Sequence, residues 1–196
     1  LVSLNLGWEA VAIKQFDDHV ELTVRDSSKP EVSRRVTARY LVAADGGSSF
    51  ARRALDLPWD DLGFSQPWLV VDFREKRPLS LPFENGQICD PSRPMCLFQL
   101  GPHHRRFSYM VMPGEEEWAK QPETAWSLVK PWVGPEDVEL IRQTTYIFES
   151  KLLPNWKVNR VLFIGDSAHV MPPFMGQGMC SGIRDAANLS WKIALV

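Results

Sequence analysis

The sequence predicts a fold of mixed class, part α/β and part α+β, in which a parallel-sheet portion is interrupted by an inserted antiparallel β-sheet flanked by helices. Three observations predict it. Two short apolar runs, 40–44 and 161–164, each end in a carboxylate and glycines, as buried strands of open α/β sheets do. Between them, residues 63–150 contain prolines that punctuate short β-type runs. A long helical pattern occupies the chain from Met179 onward.

Three segments follow from this pattern. Residues 1–62 and 151–196 are expected to form two parts of one domain, and residues 63–150 are expected to form the inserted sheet domain. Both ends of the chain look cut, because there is no initiator methionine and the sequence stops at Val196 within a helical pattern. We therefore expect a fragment of a longer chain.

The composition excludes several classes of function. The 196 residues are 44% hydrophobic and 23% charged, with a net charge of -2, which gives no general attraction to nucleic acid or to an anionic membrane. No apolar run approaches the roughly 20 residues that a membrane helix needs. The cysteines are odd in number and never form a C-x-x-C pair, and the histidines show no metal-ligand spacing. The sequence therefore predicts no disulfide framework, no metal site and a cytoplasmic location.

The first segment begins with β-type sequence. Trp8–Phe16 and Val20–Asp26 alternate apolar and polar residues and are separated by a short polar turn, which predicts a hairpin. A second turn at 27–30 precedes a further predicted strand, Val36–Ala44, whose apolar end runs into the first carboxylate. The sequence therefore predicts three strands before residue 45.

The first glycine-acid segment begins at Asp45 and is followed by a short predicted helix. Asp45 can accept a hydrogen bond from a hydroxyl or fix the turn, Gly46 permits close approach of a ligand to the backbone, and Arg52 can reach a phosphate. Ser48 or Ser49 is expected to cap the helix. The alternative interpretation is an Asp-Gly turn followed by a solvated basic helix.

The middle segment alternates short strands with two helical patterns. The clearest β-type runs are Trp68–Phe73, Met95–Leu100, Arg106–Met112 and Thr144–Phe148. Helices are predicted over Glu123–Val133 and Pro135–Gln143, with Pro131 ending or kinking the first. An antiparallel sheet with helices on one face accounts for this order.

Basic and aromatic residues alternate over residues 103–109. Such a run can line a pocket for an anionic aromatic molecule, and His103, Arg105 and Tyr109 are the candidate substrate-binding residues. The alternative interpretation is an exposed strand face. The large apolar side chains elsewhere in the middle segment are expected to form the core.

The second glycine-acid segment follows the buried run Val161–Ile164. Gly165 and Asp166 stand where open α/β sheets place their ligand contacts, and a carboxylate there can accept hydrogen bonds from sugar-like hydroxyls. Gly176-Gln177-Gly178 then leads into the final helix, whose start offers unpaired N–H groups and a positive dipole end. The alternative interpretation is that Asp166 caps a turn and the glycines form a loop.

The final helical pattern carries small residues at four-residue spacing. They are Gly182, Ala186, Ser190 and Ala194. Such a stripe lets a helix pack close to a sheet or to a flat cofactor. The spacing of Gly176, Gly178 and Gly182 departs from the dinucleotide fingerprint, which needs its third glycine one position earlier. Arg184 and Asp185 flank the stripe and are interpreted as helix-surface or pairing residues.

Taken together, the two glycine-acid segments resemble the second and third signatures of the FAD-dependent aromatic hydroxylases, the single-component flavoprotein monooxygenases. One match is Asp45-Gly46 with Ser49 and Arg52 at the family spacing, and the other is Gly165-Asp166 followed by His169, Pro172, Gly176, Gly178 and Asp185. The two signatures lie in the right order, about 120 residues apart. Gln87–Pro94 and Met112–Glu115 further resemble the 3-(3-hydroxyphenyl)propionate hydroxylase branch.

The sequence departs from the family pattern in two respects. The family's N-terminal G-x-G-x-x-G unit, which serves the ADP half of FAD, lies outside this sequence, as does the part beyond the third signature. Cys180 stands where many relatives carry Asn. This departure affects only the side-chain contact to the flavin that the family would have at this position, because a backbone contact does not depend on the side chain.

The resemblance implies part of a FAD-binding domain of the glutathione-reductase-like kind. In the second segment, Gly165 and Asp166 belong to the implied site, and Asp166 would hold the ribityl hydroxyls. The residues implied to surround the isoalloxazine are Pro172, Gly176, Gln177, Gly178 and Met179. Asp45, Gly46 and Arg52 would lie near the pyrophosphate.

The resemblance also implies a reaction. NADH or NADPH would reduce FAD, dioxygen would form a flavin C4a-hydroperoxide, and a phenolic aromatic acid such as 3-(3-hydroxyphenyl)propionate would be hydroxylated. No catalytic acid, base or nucleophile is identifiable, because the flavin carries the chemistry. A homodimer is consistent with this family. Two other hypotheses stay open: a non-catalytic, truncated substrate-binding fragment, and a halogenase or reductase with the same signatures.

Overall fold

The computed structural model of the protein describes residues 2–196. The strands are β1 (Trp8–Gln15), β2 (Val20–Asp26), β3 (Ser33–Ala38), β4 (Leu41–Ala43), β5 (Asp60–Glu75), β6 (Gly86–Ile88), β7 (Met95–Gly101), β8 (His104–Met110), β9 (Val138–Leu152), β10 (Lys157–Val158), β11 (Val161–Phe163) and β12 (His169–Val170). The α-helices are α1 (Phe50–Ala54), α2 (Pro122–Val129) and α3 (Gln177–Ala194). The chain divides into two compact units. The first runs to Gly63 and resumes from Ser150 to Val196, and the second is Phe64–Glu149.

The first unit contains an antiparallel sheet of order β1-β2-β3. The predicted hairpin is confirmed, with Trp8 opposite Asp26 and Gln15 opposite Val20. The single predicted strand Val36–Ala44 is wrong, because the chain forms β3 and then, after a bend, β4 in a different sheet. Strand β3 is polar and exposed along its whole length, whereas β4 is apolar and partly buried. One continuous strand would have placed both halves in the same environment.

A second, smaller sheet of the first unit has the order β10-β11-β4. Strands β4 and β11 run parallel, with Leu41 opposite Val161 and Ala43 opposite Phe163. This confirms the prediction that the apolar run after residue 160 is a buried parallel strand. Because the carboxyl ends of parallel strands meet at the same edge of a sheet, both glycine-acid segments leave this sheet at one edge.

The second unit is built on an antiparallel sheet. Strand β5 pairs with β8, β8 with β7, and β7 with β6, while β9 lies on the other side of β5. One face of this sheet carries Phe73 and Phe107, which are fully buried and meet edge to face. Ala125 and Val129 of α2 complete this core. The predicted antiparallel sheet with a helix on one face is therefore confirmed.

The two helices predicted in the second unit have different outcomes. Helix α2 ends at Val129, two residues before Pro131, as expected from the proline. The helix predicted over Pro135–Gln143 is wrong, because Val138 begins the long strand β9. Val138 and Leu140 pack into the sheet core, and this period of two belongs to a strand.

The remaining general features concern helices and cysteines. Among the helices of residues 2–196, none is long and apolar enough to cross a membrane. Cys89, Cys96 and Cys180 are all free thiols. Burial raises the pKa of the Cys96 thiol to about 11, so this thiol stays protonated and unreactive at neutral pH.

Candidate functional site

The two glycine-acid segments and one face of α3 line a shallow cleft in the first unit. Its volume is about 380 Å³, and its lining includes Ala44 and Gly46 from the first segment and Ile164, Gly165 and Asp166 from the second. Helix α3 closes the cleft with Gly178, Met179, Gly182, Ile183 and Ala186. The structure therefore brings together sequence-predicted residues that are 120 positions apart along the chain.

The carboxylate of Asp166 is available to a ligand. Asp166 lies on the 3-10 turn Gly165–Ser167 and is exposed, and within residues 2–196 its carboxylate has no hydrogen-bond or ion-pair partner. A Cβ built on Gly178 would lie 4.0 Å from Oδ1 of Asp166. The carboxylate therefore faces the first turn of α3, where it can accept hydrogen bonds from hydroxyl groups.

The start of α3 offers backbone donors to the same cleft. The N-cap residue is Gly176, which has a φ of 61° and provides no side-chain cap. A non-glycine residue would be strained in this left-handed conformation. The first N–H groups of the helix have no intrahelical acceptor, and the helix dipole makes this end partly positive. The site thus pairs an acceptor, Asp166, with uncapped donors.

A buried cluster holds the Gly165 turn against α3. Asp185 accepts a hydrogen bond at Oδ2 from the Gly165 N–H, at 2.9 Å, and the same oxygen lies 2.7 Å from Nε2 of His169. His169 is buried and its ring lies against Trp156. Of the two interpretations that the sequence allows for Asp185, a helix-surface residue or a pairing residue, the structure shows the second: Asp185 pairs with His169 and positions the Gly165 turn. Arg184, in contrast, lies on the helix surface and donates to Ser181.

Of the predicted stripe of small residues, Gly182 packs closely on the Gly165 turn, whereas Ala186, Ser190 and Ala194 are exposed. A Cβ built on Gly182 would lie 3.3 Å from the Cα of Gly165, which is tighter than ordinary carbon–carbon contact. Asp185 lies one helical turn further along and reaches the same turn. The sequence pattern predicts the close packing at Gly182, whereas the partners of Asp185 follow only from how α3 crosses the turn.

Two side chains of the first glycine-acid segment accept hydrogen bonds from backbone N–H groups of α1. Asp45 accepts a hydrogen bond at Oδ2 from the Ala51 N–H at 2.9 Å, and Ser49 accepts from the Arg52 N–H at 3.0 Å. Of the two predicted caps, Ser49 is therefore the N-cap residue. Gly46 has a φ of 78° and lines the cleft.

Arg52 is directed toward the loop that follows α1. Its Nη1 donates to the Leu57 carbonyl at 2.9 Å, and its guanidinium lies 5.0 Å from the centroid of the Trp59 ring. Its Nε is buried without a partner among the described residues. The phosphate contact predicted for Arg52 would therefore use the guanidinium N–H groups that do not bind the Leu57 carbonyl.

The remaining predicted cofactor residues lie before and at the start of α3. Pro172 is half-buried and precedes the 3-10 turn Pro173–Met175. Gln177 donates to the Met175 carbonyl at 3.2 Å. Met179 lines the cleft and has 76% of its surface exposed. An apolar side chain this exposed leaves contact area for a ligand or for further protein.

The candidate substrate residues lie in the second unit. Arg105 and Tyr109 point into the sheet core: Arg105 pairs with Glu75 at 2.5 Å, and the Tyr109 hydroxyl donates to the Leu128 carbonyl at 3.1 Å. Burial raises the pKa of Tyr109 above its usual value. The alternative of an exposed strand face is therefore wrong for these two residues. His103 lies at the exposed turn before β8, 3.8 Å from Glu75.

We expect Gly182→Ala to lower the melting temperature of the protein. The new Cβ would press on the backbone of Gly165, which cannot rotate away, and overpacking of this kind costs about 1–3 kcal/mol. The gain in helix propensity, about 1 kcal/mol, offsets only part of this. Gly178→Ala is the matched control, because its nearest neighbours are 4.0 Å away. Equal melting temperatures for the two variants would contradict the tight packing.

Comparison with known proteins relates this chain to a FAD-binding family and to hydroxylases. Residues 2–196 match a family described as FAD binding domain. The probable NADH-specific resorcinol 4-hydroxylase of Rhodococcus jostii (strain RHA1) is 38% identical over 196 residues, which are 100% of this chain and 37% of that protein. The 3-(3-hydroxy-phenyl)propionate/3-hydroxycinnamic acid hydroxylase of Escherichia coli (strain SMS-3-5 / SECEC) is 44% identical over 192 residues, 96% of this chain and 34% of that protein. The chain spans about a third of the length of these relatives.

Solved structures share the fold. The substrate-free form of the rebeccamycin biosynthetic enzyme RebC has a TM-score of 0.79 at 27% identity, covering 95% of this chain and 37% of that one. OxyS anhydrotetracycline hydroxylase from Streptomyces rimosus has a TM-score of 0.75 at 25% identity, covering 96% and 38%. A ternary complex of aklavinone-11 hydroxylase with FAD and aklavinone reaches 0.83 at 23% identity, covering 95% and 37%. At that identity the likeness concerns the fold alone.

Proposed function

We infer a function from the fact that this chain belongs to the FAD binding domain family, whose match extends over residues 2–196. The whole protein is proposed to be a monooxygenase that uses FAD, NADH or NADPH, and dioxygen to hydroxylate a phenolic aromatic acid. Two hydroxylases of phenolic compounds, 38% and 44% identical to the chain, support this proposal. One of them is named as NADH-specific, which supports NADH as the reductant.

The observation that carries the proposal is the free Asp166 carboxylate facing the uncapped start of α3. A carboxylate without an internal partner fits the hydroxyls of the ribityl chain, which need an acceptor. Gly178 and Gly176 leave the backbone of the first helical turn open to a flat ring. The residues proposed to hold FAD are Gly165, Asp166, Pro172, Gly176, Gln177, Gly178 and Met179.

A second part of the proposed site is the first glycine-acid segment. Asp45, Gly46 and Arg52 are proposed to lie near the pyrophosphate of FAD. Gly46 borders the same cleft as Asp166. One oxygen of Asp45 is committed to the Ala51 N–H, so its second oxygen is the one available to the cofactor. The guanidinium of Arg52 lies over the Trp59 ring, and the N–H groups that Leu57 leaves free can reach an anion.

The chain's own residues have electrostatic and positioning roles in this proposal. When bound, FAD supplies the electron transfer and the activation of dioxygen. The N–H groups at the start of α3 are fixed in place before any charge develops, so they can stabilise negative charge on the ring without reorganising. Asp185 and His169 hold the Gly165 turn and thereby fix Asp166 relative to these donors. Met179 and Ile183 present exposed apolar surface at the cleft, which a bound flat ring would cover.

The full-length protein provides the test. We expect it to purify with bound flavin, and to oxidise NADH faster when 3-(3-hydroxyphenyl)propionate is added. The product should gain one oxygen atom, and mass spectrometry after reaction under ¹⁸O₂ should show that this atom comes from dioxygen. Parallel assays with NADPH would establish the preferred reductant. A full-length protein that stays colourless after reconstitution with FAD would refute the proposal, and a halide-dependent halogenated product would indicate a halogenase instead.

A further inference from the structure

We propose that two arginines on the sheet of the second unit, Arg106 and Arg142, form the subsite that binds the carboxylate of an aromatic acid substrate. The inference rests on the proposed function and names the substrate class more narrowly. It concerns a different face of the sheet from Arg105 and Tyr109. We call Arg106, Arg142 and the aspartate between them, Asp72, the arginine pair site.

The arginine pair site is organised by one buried carboxylate. Asp72 lies on β5 with 3% of its surface exposed, directly opposite Arg106 of β8. Arg106 donates from Nε to Oδ1 at 2.7 Å and from Nη2 to Oδ2 at 3.0 Å. Arg142 of β9 donates to Oδ2 from Nε at 3.0 Å and from Nη2 at 2.7 Å. Both guanidinium groups are thus held by two hydrogen bonds each, which fixes their planes.

The charges of this group do not balance. The two guanidinium groups and one carboxylate sum to one positive charge. Both arginines stay protonated in proteins. Asp72 stays ionised, because burial, which raises its pKa, is outweighed by the hydrogen bonds and charges of Arg106 and Arg142, which lower it. The acids on neighbouring positions have their own partners: Glu139 pairs with Arg74, and Glu75 pairs with Arg105. His104 lies 3.4 Å from Asp72 and adds positive charge when protonated.

The surplus charge is accessible. Asp72 is buried, whereas the side chains of Arg106 and Arg142 are 30% and 44% exposed. Each guanidinium has five N–H donors, and Asp72 occupies only two on each. The Arg142 Nη1 also donates to the Tyr146 hydroxyl at 3.1 Å. The remaining donors can bind a second carboxylate without moving, since their orientation is already fixed.

Aromatic side chains lie on the same face of the sheet. Residues at even spacing along a strand share a face, so Trp68 lies with Asp72 on β5. On β9, contacts place the aromatic residues: Tyr146 accepts a hydrogen bond from Arg142, and Phe148 lies against Trp68. The Arg142 guanidinium is 5.9 Å from the centroid of the Tyr146 ring, and Trp68 stacks on Phe148 at 5.7 Å. The Arg142 guanidinium beside the exposed Tyr146 ring fits a ligand with a carboxylate and an aromatic ring. This favours an arylalkanoic acid over a neutral phenol.

The simplest alternative is that both arginines serve only to neutralise Asp72. One arginine with two hydrogen bonds already neutralises one carboxylate. A second guanidinium beside the first adds repulsion between like charges, which an anionic ligand would relieve. The two interpretations predict different affinities for a neutral analogue of the acid: a carboxylate subsite binds the analogue more weakly than the acid, whereas arginines that only neutralise Asp72 do not distinguish the two.

The test compares an acid with its neutral analogue in the full-length, FAD-loaded protein. The probes are 3-(3-hydroxyphenyl)propionate and its primary amide, with dissociation constants measured by calorimetric titration at fixed salt concentration. We expect Arg142→Gln to weaken binding of the acid at least about tenfold, because hydrogen bonds to charged groups are strong, and to change binding of the amide by less than about twofold. Arg142→Lys, which keeps the charge but not the fork, should give an intermediate loss.

Arg77→Gln is the matched control. Arg77 is also exposed and paired with a carboxylate, Asp137, so its removal makes the same change in net charge outside the arginine pair site. It should leave binding of both probes unchanged. Equal affinity of the wild-type protein for acid and amide would overturn the inference, as would an equal loss for both probes in Arg142→Gln. Hydroxylation of resorcinol by a protein that binds acid and amide alike would overturn the subsite alone and leave the proposed function intact.

Discussion

Asp166→Ala is expected to weaken FAD binding to the full-length protein by about 100-fold or more, while leaving its melting temperature without FAD nearly unchanged. The carboxylate has no partner within residues 2–196, so its removal breaks no internal contact. Each hydrogen bond from a hydroxyl to a charged acceptor contributes about 1.5–3 kcal/mol, and two such bonds account for the loss. Fluorescence titration of the apoprotein with FAD measures it.

Asp45→Ala is the comparison for the stability part of this prediction, because the two carboxylates follow equivalent parallel strands but only Asp45 has an internal partner. Asp45 accepts the Ala51 N–H at the start of α1, so its loss should destabilise the protein by about 1 kcal/mol, as the loss of a helix cap does. Asp166→Asn keeps one acceptor oxygen and should bind FAD with intermediate affinity. Wild-type FAD affinity in Asp166→Ala would exclude this residue from the cofactor site.

The parallel pair of strands could be predicted from sequence because its signal is local. An apolar run that ends in a carboxylate and glycine occurs twice, and the geometry of parallel sheets then places both ends at one edge. The cleft around Asp166 follows from this without further information. The start of α3 is also predictable from sequence. The helical pattern follows directly after Gly176-Gln177-Gly178, and the helix begins at Gln177 with Gly176 as its N-cap residue.

The failures occurred where partners decide the local structure. The segment 135–143 contains helix-compatible residues, yet β5 provides a strand partner and residues from Val138 onward become part of β9. Pairing with a distant strand overrides a weak local preference. The bend between β3 and β4 has the same origin, because β3 pairs with β2 while β4 pairs with β11.

Two clusters of interacting side chains could not be predicted from the sequence pattern, because their members come from distant parts of the chain. The sequence leaves Asp185 as a surface or pairing residue, because its contacts with Gly165 and His169 depend on how α3 crosses the turn. The arginine pair site joins residues 72, 106 and 142 from three strands. The run 103–109 was recognised as basic and aromatic, but only the sheet register shows that Arg106 faces away from the core while Arg105 faces into it.

Asp72→Asn is expected to lower the free energy of unfolding at pH 7 by about 2–3 kcal/mol. Breaking a buried ion pair by removing one partner typically costs about 3–5 kcal/mol, and the loss is smaller here because both arginines are partly exposed and can turn toward water. The variant would also leave two guanidinium groups side by side without a carboxylate between them. Urea unfolding of the wild-type and variant proteins measures the difference.

The same substitution predicts a pH dependence with a definite sign. Hydrogen bonds from Arg106 and Arg142 hold the pKa of Asp72 in the folded protein below the ordinary value of 3.8. A carboxyl group of this kind stabilises the fold above its unfolded pKa, and the stabilisation is lost as the pH falls through the folded pKa. The stability difference between wild type and Asp72→Asn should therefore stay constant down to about pH 5 and shrink only as the solution becomes more acidic than pH 3.8. Glu139→Gln, which removes the exposed partner of Arg74, should lose much less stability at neutral pH. An equal loss in the two variants would show that Asp72 is not the carboxylate that holds this face of the sheet together.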